Sequence, residues 1–166
     1  MTDPAPQLDA EDLAAIEAQL ERPPRGVRAI VHRCPAGHPS VVKTEPRLDD
    51  GTPFPTLFYI TCPRLAGVIG TLEASGLMRE MTERLAQDEE LAAHYRAAHA
   101  SYLAERDAMG HVPEIAGISA GGMPVRVKCL HALVGHSLAK GAGVNRLGDE
   151  ALVLLGAWWE GTPCAA

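Results

Sequence analysis

A chain of 166 residues, with 46% hydrophobic and 22% charged side chains, fits one ordinary globular domain around a single core. A formal net charge of −6, from 21 acidic against 15 basic side chains, repels a phosphate backbone and disfavours nucleic acid as a partner. No stretch approaches the ~18 apolar residues that a helical bilayer span requires, so no membrane-spanning helix is expected.

The first residues, MTDPAPQLDAEDLAA, are acidic and proline-containing and lack the basic and apolar regions of a secretory signal. A cytoplasmic location is therefore expected, and residues 1–8 read as a disordered tail. Asp9 offers an N-cap, with Glu11 and Asp12 in the first turn. Leu13, Ile16 and Leu20 then mark one face of a short helix that Pro23 and Pro24 end. The arginines at 22, 25, 28 and 33 sit among Asp9, Glu11, Asp12, Glu17 and Glu21 and read as a solvated surface.

Alternation over Val27, Ala29 and Val31 predicts a strand. The turn Pro35-Ala36-Gly37-His38-Pro39 leads into a second strand over residues 40–45, a hairpin pattern. Another turn lies at Asp49-Asp50-Gly51-Thr52-Pro53. The segment 56–62, rich in β-branched and aromatic residues, is the strongest strand in the chain. After Cys62 the apolar period changes from two to 3.6. Pro63 opens a helix with Leu65, Val68, Ile69 and Leu72 on one face, and Gly76 stops it. Leu77, Met81 and Leu85 predict a further short helix. Asp88 caps a longer one carrying Leu91, Tyr95, Ala98 and Tyr102.

Residues 110–124 form a loop, Val125 and Val127 suggest a short strand, and Leu130, Leu133, Val134 and Leu138 define a helix closed by Gly141. A last helix is expected from about Asp149 to Trp158, with Trp158 and Trp159 anchoring the C-terminal end on the core. These elements predict an α+β fold: a small, mainly antiparallel sheet covered by five or six helices. One domain spans 9–160, followed by a tail at 161–166. No internal repeat appears.

Of the four cysteines, Cys34 and Cys62 close predicted strands, Cys129 precedes a helix and Cys164 lies in the tail. In a reducing compartment lasting disulfides are rare, which leaves thiols, metal ligands or a redox group. Element ends can converge at one edge of a small sheet. The expected site is therefore Cys34, Cys62 and Cys129 holding zinc or an iron–sulfur cluster, with His131 or Cys164 as fourth ligand. There is no C-x-x-C knuckle. If Cys129 is the residue just before the helix, His131 turns back beside it; if Cys129 is already helical, His136 shares its azimuth instead. The competing reading is that the cysteines pack as small hydrophobes. His94 and His99, five apart on a helix, read as surface residues.

Two loops carry other polar candidates. Arg47, Asp49, Asp50 and Thr52 stand in a rigid, proline-flanked segment. It is either a ligand-binding loop, with Arg47 on an anion, or a plain Asp-Gly turn. Ser119-Ala120-Gly121-Gly122-Met123-Pro124 lacks the spacing of a phosphate-binding loop, and no Gly-x-Ser-x-Gly or His-Glu-x-x-His is present.

The strings Arg33-Cys34-Pro35, Pro46-Arg47-Leu48, Asp50-Gly51-Thr52-Pro53-Phe54-Pro55-Thr56-Leu57 and Thr61-Cys62-Pro63 resemble a bacterial family catalogued as domain of unknown function 501. So do Ile118-Ser119-Ala120-Gly121-Gly122-Met123-Pro124 and Arg126-Val127-Lys128-Cys129-Leu130-His131-Ala132, and the similarity covers about residues 22–157. The resemblance implies no activity. It implies that the cysteine-containing strings and the Asp50–Pro55 loop belong to a common pattern. His38 falls outside that pattern, which argues against it as a ligand. Three function classes follow: a metal- or cluster-binding protein, an enzyme with an anion pocket between the Asp49–Pro55 loop and the Ser119–Cys129 segment, and a non-catalytic interaction module acting through its helical face. Nothing identifies a partner.

Overall fold

The computed structural model describes residues 8–160; the tails expected at 1–8 and 161–166, and with them Cys164, lie almost wholly outside the described residues. Helix α1 (Ala10–Leu20) starts where the Asp9 side chain accepts the backbone N–H of Asp12 and ends at Glu21 in the left-handed region. Three antiparallel strands follow, β1 (Val27–Arg33), β2 (Pro39–Thr44) and β3 (Phe58–Ile60), in the spatial order β1-β2-β3. Helices α2 (Pro63–Glu73), α3 (Leu77–Gln87), α4 (Glu89–Met109), α5 (Leu130–Lys140) and α6 (Arg146–Leu155) complete the fold, with a 3-10 turn at Pro113–Ile115. The expected α+β class and the antiparallel sheet are what the chain adopts. No helix among the described residues is long and apolar enough to cross a membrane.

Strand β3 is shorter than the seven-residue run its composition suggests. Leu57 leaves the ladder because its N–H donates to the Tyr102 hydroxyl at 2.6 Å, while its carbonyl accepts Thr44 N–H at 2.9 Å. Leu57 and Tyr102 are both fully buried, so this hydroxyl is the only substitute for a strand partner that water cannot provide. Tyr102→Phe is expected to cost about 1–3 kcal/mol, the penalty for a buried unpaired donor, read as a lower urea midpoint at unchanged slope.

The strand expected at Val125 and Val127 does not form. The N–H groups of Val125 and Arg126 both turn back to the Gly122 carbonyl. The Val127 N–H goes to the Thr82 hydroxyl at 2.9 Å, and the Arg126 carbonyl accepts the Tyr95 hydroxyl at 2.8 Å. Backbone groups satisfied by side chains of α3 and α4 leave nothing for a ladder. Helix α6 begins three residues earlier than expected because Asn145, not Asp149, caps it through Gly148 N–H. It stops at Leu155, before the anchored Trp158.

Helix α5 is the central element. It packs on β3, α2 and α6 and is buried along most of its length, from Leu130 to Ser137. His136 on this helix is fully buried, with its ring stacked on Phe58 and edge-on to Tyr102. Burial pushes its pKa down to about 4, so it is a neutral core side chain.

Candidate functional site

The start of α5 is delivered by the glycine-rich segment. Gly121 and Gly122 both have positive φ, and the Gly121 carbonyl accepts Lys128 N–H at 2.7 Å. A Cβ on Gly122 would fall 2.7 Å from the Arg126 carbonyl oxygen, so no other residue closes this turn without displacing the chain. The turn sets Cys129 in extended conformation (φ −151°, ψ 114°) as the N-cap of α5. With Cys129 just outside the helix, His131 turns back toward it.

Glu73, the last residue of α2, meets them. Its Oε2 accepts Leu130 N–H at 2.8 Å, one of the orphan donors of the α5 N-terminus. Its Oε1 lies 3.1 Å from His131 Nδ1. On the other side of the ring, His131 Nε2 lies 3.1 Å from the carbonyl oxygen of Ala66 in α2. Potential ligand atoms of Glu73, Cys129 and His131 all lie within 4.8 Å of one another, and all three residues are half-buried. Both ring nitrogens face acceptors, an arrangement that calls for two N–H groups and a positive charge. Hydrogen bonding to Cys129 is the largest influence raising the His131 pKa to about 9; burial opposes it and the Glu73 carboxylate adds to it.

A cleft of about 350 Å³ opens beside these groups. Its walls are the cap Cys129 with His131 and Ala132 from the start of α5, Ala66 from α2, Thr56 just before β3, and Phe58, Tyr59 and Ile60 of β3. The site is thus polar at one end and apolar along the other walls, which is how small-molecule sites are commonly built.

Cys129 and His131 are brought together; Cys34 and Cys62 are not members of their group. Cys34, nearly fully buried at the end of β1, has its Sγ 3.8 Å from His38 Nδ1. Cys62 is the N-cap of α2, its sulfur accepting Leu65 N–H at 3.5 Å. No disulfide joins Cys34, Cys62 and Cys129 to one another. His136 belongs to the core, and His99 is no bare surface residue: its Nδ1 lies 2.7 Å from the Ser119 hydroxyl.

The Asp49–Pro55 segment folds as a turn closed by a bridge between Arg47 and Pro53. Arg47 is engaged by Glu114 at 2.7 Å and by the Gly51 carbonyl at 2.8 Å. Asp50 pairs with Arg25 and accepts Thr52 N–H at 2.9 Å. Asp49 is exposed.

Glu73 escaped the sequence reading, yet it left a trace. An acid at the C-terminal end of a helix opposes the helix dipole, and no basic residue accompanies it in the last turn of α2. Such a residue calls for a cationic partner from elsewhere in the fold.

No curated protein and no solved structure matches the chain. The family described as protein of unknown function (DUF501) matches it over residues 30–153, the span that holds β2, β3, the second half of β1 and each of Glu73, Cys129 and His131, and the chain belongs to that family.

Proposed function

We infer that this protein binds a divalent transition-metal ion, zinc by preference, through Glu73, Cys129 and His131, with a further coordination position open toward the cleft along β3. The observation that carries this reading is the convergence of one sulfur, one nitrogen and one carboxylate oxygen donor within 4.8 Å. Zinc accepts all three donor types, at ~2.0–2.3 Å. An iron–sulfur cluster, which is held mainly by several thiolates, suits this donor set poorly.

The hydrogen bond from His131 Nε2 to the Ala66 carbonyl supports the same reading, because a metal-bound imidazole commonly donates its second N–H to such an acceptor. That bond leaves Nδ1 as the ligating atom. Three protein ligands with one position free is the pattern of catalytic rather than structural zinc sites. The bound ion supplies a Lewis acid for a water or a substrate oxygen. The chain's own groups would hold it: Leu130 N–H fixes the Glu73 carboxylate, and Phe58, Tyr59 and Ile60 line the wall of the cleft beside it.

Metal analysis and Co²⁺ substitution on the purified protein test the proposal. Wild type is expected to hold zinc at this site and to give a cobalt–thiolate absorption band. Cys129→Ser, His131→Ala and Glu73→Gln are each expected to weaken binding by about 100-fold or more, since loss of one of three ligands removes a large part of the binding free energy. Unchanged zinc affinity in all three variants rejects the site.

A further inference from the structure

The cleft beside Cys129 and His131 runs along a sheet edge. In the order β1-β2-β3, only one side of β3 meets another strand. On that side the Leu57 carbonyl accepts Thr44 N–H at 2.9 Å, and Thr61 N–H donates to the Ser40 carbonyl at 3.0 Å. Bonded and unbonded pairs alternate in an antiparallel ladder. Between those two bonds Val42 and Tyr59 are therefore the bonded pair, and Lys43 with Phe58 and Val41 with Ile60 are unbonded. The N–H and C=O of a trans peptide unit point in opposite directions, so the backbone groups of Phe58 and Ile60 point away from β2.

Phe58 is closed off on that outer side. The Tyr102 hydroxyl that accepts Leu57 N–H also bonds the Phe58 backbone. The Phe58 carbonyl oxygen lies against Gly135 of α5, where an added Cβ would fall 2.9 Å from it. Ile60 is open. Its N–H and C=O meet no hydrogen-bond partner among the described residues, and Ile60 lines the cleft that separates β3 from the start of α5. Backbone groups at a covered edge call for partners. One residue of an extended chain supplies both, an N–H for the carbonyl and a carbonyl for the N–H.

The three potential metal ligands stand at the same end of the strand. Ala66 lies in the first turn of α2, its N–H bonded to the Cys62 carbonyl at 3.0 Å. Its own carbonyl oxygen lies 3.1 Å from His131 Nε2. Tyr102 and Gly135 close the edge at Phe58, and α2 begins at Pro63 just past Thr61, so the cleft suits the end of a chain rather than its middle. A terminal carboxylate is already ionised at neutral pH, whereas a terminal amine must first lose a proton to become a ligand. Phe58, Ile60, Ala66 and Ala132 make the remaining walls largely apolar, and His131 is the only ionisable lining group besides the Cys129 thiol and the Tyr59 phenol.

Resting on the zinc reading above, we propose that this cleft binds the C-terminus of an extended peptide that ends in an apolar residue. The terminal carboxylate takes the open position on the metal. The residue before it pairs through its N–H and C=O with Ile60, as a one-residue fourth strand.

The test loads the full-length protein with zinc or Co²⁺ and titrates it with acetyl-Ala-Ala-Leu, whose carboxylate is free. This peptide is expected to bind, to shift the cobalt absorption band, and to bind more tightly than acetate. Its C-terminal amide, and the same peptide N-methylated at the middle alanine, are each expected to bind about tenfold or more weakly, the usual loss for one charge contact or hydrogen bond. Metal-loaded protein that binds the parent peptide no better than acetate, or binds either modified peptide equally well, overturns this inference and leaves the metal site standing. Protein that holds no metal through Glu73, Cys129 and His131 overturns both.

Discussion

Gly148→Ala is expected to destabilise the protein by about 3 kcal/mol, the upper part of the usual range for forcing an extra methyl group into a packed core. In an exposed helix the same change stabilises by roughly 0.5–1 kcal/mol, so the sign itself is diagnostic. A Cβ on Gly148 would lie 2.3 Å from the Leu133 carbonyl oxygen and 2.3 Å from Ser137 Oγ, both on α5. One of these is backbone, and the Ser137 hydroxyl is already committed to the Asn145 carbonyl at 3.0 Å. The two helices can accept the methyl group only by moving apart. That movement unseats Leu147 and Ala151, which are fully buried, and shifts the helix that begins at Cys129. Denaturant unfolding measures the loss, and zinc affinity should fall with it. Gly67→Ala and Gly70→Ala in α2 are the matched controls. Nothing lies within 4 Å of the added Cβ at either position, so both are expected to leave stability equal or higher. Equal effects at Gly148 and Gly67 would sink the account of the α5–α6 contact.

His131 is expected to titrate at about 9 in metal-free protein, far above its ordinary value of 6.5. Its two ring nitrogens rest on Glu73 and on the Ala66 carbonyl, and Cys129 adds a further bond. Because the folded state binds this proton more tightly than the unfolded chain, the stabilisation is complete below pH 6.5. It is lost as pH rises through about 9. Metal-free protein should therefore unfold at progressively lower denaturant across that window. Glu73→Gln and Cys129→Ser are each expected to bring the imidazole pKa down toward the ordinary value and to flatten the decline. Zinc binding should release the proton, because the ligating nitrogen must be unprotonated. Nitrogen-15 chemical shifts of His131 against pH check all of this. A titration near 6.5 in wild type refutes the two-acceptor arrangement.

The nearness of Cys129 and His131 was legible before the fold was known. Cys129 and His131 are two residues apart, and an extended stretch running into an apolar helical pattern places Cys129 at the cap and His131 beside it. The set expected with Cys34 and Cys62 required knowing where four element ends go, and Glu73 took the place beside Cys129 and His131. Likewise, the Asp50-Gly51 turn was readable from its residues, with Gly51 at φ +86°. That Arg47 is spent on Glu114 was not, because its partner lies far along the chain.

Periodicity, caps and turn residues determined the elements, their order and the antiparallel hairpin, since each depends on contacts within a few residues. The same local rules overreached where a distant group took a backbone donor: Tyr102 shortened β3, and Thr82 and Tyr95 claimed the stretch that resembled a strand. Only the tertiary structure joined Glu73 to His131, set His38 against Cys34 and put His136 in the core. Charge and ligand pairing between remote residues is decided by how helices and strands pack, and packing depends on shape across the whole domain, which no short window of residues contains.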